Sequence, residues 1–254
     1  MLTFLADATV MVEALSMDFS KNTPLQSITL YLFFAGTVAM GAGALYFFLL
    51  RNNVEPVYRS TMVVAGLVCA IACFHYFKMT HVYQESGGKD FPTALRYIDW
   101  LFTTPLLLIK FPLLLRMGDR GTKFFFQLVV LDVAMIATAF IAETSEVNSE
   151  RWWTFFLVAC VCEAMIVGVL FMSLGQAITE APAPLARSLE TMRLFILIGW
   201  AVYPIGFLMA RSGNGEFREI VYNISDVINK VGFGLVAYHG IQAMSHSKES
   251  QVRG

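Results

Sequence analysis

Seven runs of apolar residues, each long enough to cross a lipid bilayer, dominate this 254-residue chain. They fall at residues 27–50, 58–83, 92–115, 122–143, 152–176, 186–211 and 218–245, and about 20 residues suffice to cross the hydrocarbon core. Lipid offers backbone amides no hydrogen-bond partner, so such a segment crosses as a helix. Short breaks such as RNNVEPVYR, QESGGKDF and SGNGEF separate the runs, and their Gly, Pro and Asn residues favour turns. The expected fold is therefore an all-α membrane protein, a single seven-transmembrane helix bundle over residues 27–245. Residues 1–26 are expected as an extracellular N-terminal segment and 246–254 as a cytoplasmic tail. The opening MLTFLADATVMVEALSMDFSKN has no basic start and is broken by Asp7, Glu13 and Asp18. It reads as a short amphipathic outer segment, not a signal peptide.

Composition excludes several classes. Only 15% of residues are charged and 57% are hydrophobic, against about 25% charged in a soluble domain; mean hydropathy is +0.62. A net charge of −1 supplies no field for nucleic acid. Cys69, Cys73, Cys160 and Cys162 all sit inside apolar runs and read as small buried hydrophobes, with neither disulfide nor metal-site spacing. No metal site is expected.

Lys and Arg in the loops set the direction of the bundle. Arg51, Arg59, Arg116, Arg120, Lys123, Arg187, Arg193, Lys248 and Arg253 fall on one side, while Lys21, Lys89, Arg151, Arg211 and Arg218 fall on the other. The first side is cytoplasmic, the N-terminus is outside, and the odd-numbered spans run inward.

Charges inside the spans are costly and point to function by default. The stretch RYIDWLFTTPLLLIKFPLLL in the third span holds both Asp99 and Lys110. His75, Asp99 and Asp226 come out at similar depth in the outer half. Arg96 lies one turn outward of Asp99 on the same helix face, and Lys230 lies one turn inward of Asp226. Arg96 and Lys230 are expected to face Asp99 and Asp226. On spacing alone this is either a functional column or an ion-pair cluster that holds helices together. Lys110 lies about 16 Å inward of Asp99 with no acid evident at its depth. It is either a neutral amine able to relay protons or a lysine whose head snorkels to the headgroups. Trp100, Trp200, Tyr203 and Tyr222 crowd the level of Lys230, a setting for a flat apolar ligand or simply for packing. Pro204 could let the sixth span swing. Glu143, Glu146, Glu150 and Glu219 are outer carboxylates without rank, and Asp132 and Glu163 lie within spans without an evident role.

Three motifs resemble the microbial rhodopsins. RYIDWLFTTPLLL (96–108) looks like their third helix, RLFILIGWAVYPIG (193–206) like their sixth, and DVINKVGFGL (226–235) like the lysine motif of their seventh. With the span pattern, the resemblance covers nearly the whole chain. It implies all-trans retinal bound covalently as a Schiff base to Lys230. It implies Asp99 as counterion and proton acceptor, Asp226 as second counterion, Arg96 as the guide to the outer release path, and Thr103 as a hydrogen-bond partner of Asp99. His75 matches the histidine that pairs with the counterion in the proteorhodopsin branch. Trp100, Leu107, Met135, Trp200, Tyr203, Pro204 and Tyr222 would line the pocket with Lys230, and leucine at 107 implies green absorption. Lysine at 110 resembles a small lysine-donor subgroup, which would make Lys110 the cytoplasmic proton donor. The implied function is a light-driven outward proton pump, not an enzyme. It would lie multi-pass in the lipid bilayer of a prokaryote's inner membrane, as a homo-oligomer that moves protons and does not bind nucleic acid. A sensory photoreceptor signalling through a membrane partner is the alternative.

Overall fold

The computed structural model describes residues 22–253, with side chains described over 22–247. Most of the expected outer segment, residues 1–21, lies outside the described residues. Span one is Pro24–Leu50, opened by a capping box in which Thr23 and Gln26 satisfy each other's exposed amides. Span two is Arg59–Glu85. Span three is Thr93–Leu108 continued by Lys110–Leu114. Spans four and five are Gly118–Glu143 and Glu150–Thr179. Span six joins Ala183–Leu194 to Trp200–Ala210 through a wider π-helical turn, Phe195–Gly199. Span seven joins Gly215–Val227 to Phe233–Arg253 through a second π turn, Ile228–Gly232. The helix of the expected tail continues to Arg253.

Six of these helices are long and apolar enough to cross a membrane. The seventh carries its polar residues inward, with Arg218, Glu219, Asp226 and Lys230 all buried. Each span packs against the next in chain order, and span seven returns to span one, so the helices close into a ring. The polarity is inverted relative to a soluble protein. Met172 is 86% exposed and Leu49 74%, whereas Asp99 and Asp226 are fully buried. Apolar residues facing outward and charges facing inward suit lipid as the surrounding solvent.

Two breaks in the helices matter for the site. Pro112 has no N–H to offer the Leu108 carbonyl, and the third span is interrupted between Leu108 and Lys110. Pro204 sits one turn beyond the π turn of span six. π turns insert a residue into the helical repeat and rotate the side chains that follow. The one in span seven contains Lys230 itself.

Candidate functional site

A helical side chain leans towards its helix N-terminus. Lys230, on an inward-running span, therefore leans outward to the carboxylates one turn away. Its Nζ lies 2.8 Å from Asp99 Oδ2 and 3.0 Å from Asp226 Oδ2. All three groups are buried, so the amine bridges two carboxylates on different helices, out of reach of water.

The two acids are not equivalent. Asp226 accepts from Tyr76 Oη at 2.9 Å, from Trp100 Nε1 at 3.2 Å and from Tyr203 Oη. Asp99 accepts no hydrogen bond from a hydroxyl, indole or amide among the described residues. Besides Lys230, its near neighbour is His75 Nδ1 at 3.6 Å. That is beyond hydrogen-bond range, and Nδ1 faces the Ile71 carbonyl one turn back at 2.9 Å. The expected hydrogen bond from Thr103 to Asp99 is present, at the backbone. Its hydroxyl donates to the backbone carbonyl of Asp99 at 2.8 Å, not to the carboxylate, because a helical threonine reaches its i−4 carbonyl first.

Arg96 points away from Asp99. Span three runs inward, so this side chain leans outward and meets the first turns of span seven. There it donates to Glu219 at 2.6 Å and Asn223 at 2.8 Å, and it approaches Asp226 at 3.5 Å. Glu219 also pairs with Arg218 at 3.0 Å, and Arg218 pairs with Glu143. A chain of alternating charge thus leads from Lys230 to the outer surface, with Glu219 only 2% exposed.

Inward of the carboxylates lies a cavity walled mainly by hydrophobic and aromatic side chains, as small-molecule sites are. Trp100, Leu107, Met135, Trp200, Tyr203, Pro204, Tyr222 and Lys230, the eight residues expected around a ligand, all line it. Its surface is overwhelmingly apolar and aromatic and includes Lys230, a setting that fits a flat apolar ligand held at that lysine. Rings pack edge to face in the wall, with Trp100 and Tyr203 centroids 4.7 Å apart.

Lys110 leans outward for the same reason as Arg96, towards the bundle interior. It is fully buried, its Nζ has no hydrogen-bond partner among the described residues, and it sits 5.0 Å from the centroid of the Phe233 ring. The snorkelling arrangement is thereby excluded.

Residues 27–244 match the bacteriorhodopsin-like protein family. The chain belongs to that family. Among its relatives is a green-light absorbing proteorhodopsin from Gamma-proteobacterium EBAC31A08, 32% identical over 213 residues that make up 82% of this chain and 84% of the relative. Bacteriorhodopsin of Halobacterium salinarum is 33% identical over 79% of each chain. Among solved structures, Exiguobacterium sibiricum rhodopsin superposes with a TM-score of 0.82 at 43% identity, covering 88% of this chain and 99% of that one. Xanthorhodopsin, described as a light-driven ion pump with dual chromophore, superposes with a TM-score of 0.81 at 29% identity, covering 90% and 98%.

Several residues of this bacteriorhodopsin-like site are not evident from spacing. Tyr76 joins span two to Asp226. Asn229 Nδ2 donates to the Gly199 carbonyl at 2.9 Å, linking the two π turns. A Cβ at Gly199 would run into the Asn229 side-chain amide and force it to move. Asp132, buried in span four, is bonded by the Thr104 hydroxyl at 2.8 Å. A buried polar residue beside the lysine motif was the available signal for Asn229; nothing in the chain pairs Tyr76 or Thr104 with its partner.

Proposed function

We propose that this protein is a light-driven outward proton pump carrying all-trans retinal bound covalently through Nζ of Lys230. One observation supports it above others: a buried lysine amine, 2.8 Å from a carboxylate that has no other strong partner, opening onto an apolar aromatic cavity. Retinal bound there supplies visible absorption and a change of shape on excitation that re-aims the proton held at Nζ.

The protein's own groups then determine where the proton goes. Asp226 is engaged by Tyr76, Trp100 and Tyr203, so protonating it would oppose donors already in place. Asp99 offers an open oxygen and is the acceptor. Arg96, bonded to Glu219 and beside Asp226, links the site to the outer carboxylates and marks the outward path of the proton. Return from that side is opposed by the positive guanidinium. On the inner side, Leu106, Leu107 and Leu108 keep water from Asp99, and Lys110 delivers the replacement proton to Lys230. His75 sits beside Asp99 and adjusts its charge balance. Moving one charge against 100 mV requires about 2.3 kcal/mol, far below the energy of a visible photon. The site lies in a prokaryotic inner membrane, where homo-oligomers embed it in lipid.

Cells or vesicles expressing the protein with retinal should acidify the outside medium under steady light, and an uncoupler should abolish the change. A coloured protein with no sustained pH change would instead indicate the sensory reading.

A further inference from the structure

The cavity wall contains one group unlike the rest. Glu163 lies near the middle of the 30-residue span five, and its carboxyl is half-buried and lines the cavity. It shares the inward stripe of that helix with Phe156, Ala159 and Ile166, so it is turned towards the bundle. It makes no hydrogen bond and no ion pair with any described residue. Cys160, one turn outward, and Ile136 and Met135 from span four are its companions in the wall. A carboxyl at this depth is costly unless it finds a partner.

Its position in the ring of helices suggests what that partner is. Glu163 and Lys230 line the same cavity from spans five and seven, which span six separates in the packing order. A ligand anchored on Lys230 and filling the cavity meets Glu163. A plain hydrocarbon ring would leave the carboxyl without a partner; a ring bearing a hydroxyl would satisfy it. We propose that Glu163 recognises a ring hydroxyl, so that the site prefers a ring-hydroxylated retinoid to unsubstituted retinal. This rests on the reading that Lys230 carries a retinoid, and it adds which retinoid.

The test is competition. Full-length protein produced without chromophore is offered equal amounts of all-trans retinal and all-trans 3-hydroxyretinal, and the bound fraction is extracted and quantified. One neutral hydrogen bond corresponds to about a two- to tenfold preference for the hydroxylated form. Glu163→Leu should take up both equally while still turning coloured, which shows that it is folded. Glu163→Gln should keep the preference, because an amide still bonds a hydroxyl. Equal uptake by the unaltered protein, or an undiminished preference in Glu163→Leu, overturns the proposal. Uptake of neither chromophore by the unaltered protein would overturn the retinal reading itself, a different and recognisable result.

Discussion

Replacing Lys110 with methionine separates stability from function. The amine has no hydrogen-bond partner among the described residues and lies 5.0 Å from the centre of the Phe233 ring. Losing that contact costs at most about 2 kcal/mol. Removing an unsatisfied polar group from an apolar setting returns about 1–3 kcal/mol, and methionine fills nearly the same volume. Lys110→Met is therefore expected to fold and bind chromophore with a stability change below about 1.5 kcal/mol. The kinetics should respond quite differently. A positioned proton donor contributes about 10²–10⁴-fold to a transfer step, so recovery of the initial colour after a flash should slow at least about a hundredfold. Without an internal donor the proton must come from solution, and the rate should fall about tenfold per unit rise in pH, where the unaltered protein varies less. Flash photolysis across a pH series, with a thermal melt of the same sample, reads both. Recovery at the unaltered rate, or a stability loss of several kcal/mol, would refute the assignment.

Other perturbations have equally definite outcomes. Asp99→Asn should still bind chromophore but transport no protons in illuminated vesicles, since the open acceptor beside Nζ is gone. Glu219→Gln leaves Arg96 and Arg218 short of a buried partner and should destabilise the protein by about 3–5 kcal/mol, seen as a lower melting temperature that added salt does not restore. Gly199→Ala drives a methyl into Asn229 and should cost about 1–3 kcal/mol in the same melt, whereas alanine at the lipid-facing Ile198, which is 65% exposed, should not.

Much of this architecture is legible in the chain because a membrane leaves few choices. Span lengths and the depths of Asp99, Asp226, Lys230 and Lys110 follow from counting residues along helices. Depth does not give direction, and direction is what residue counting leaves open. Arg96 was expected to face Asp99 and Asp226 with Lys230; it comes within 3.5 Å of Asp226, while the outward lean of its side chain also carries it to Glu219. Thr103 bonds Asp99 as expected, though residue spacing did not say that its partner there is the backbone carbonyl. His75 does come within ion-pair distance of Asp99, at 3.6 Å, while its Nδ1 bonds the Ile71 carbonyl of its own helix. The π turns in spans six and seven have no period that marks them in sequence, and they rotate Asn229 and Lys230 into place. The eight residues of the cavity wall were legible only through resemblance, since aromatic residues in helices more often simply pack.

The account depends most on Nζ of Lys230. An absorption spectrum of the purified protein with and without added all-trans retinal, repeated for Lys230→Ala, tests it directly. A visible band that forms with the unaltered protein and is absent from Lys230→Ala is the predicted result. No band in the unaltered protein, or the same stable band without the lysine, would contradict it.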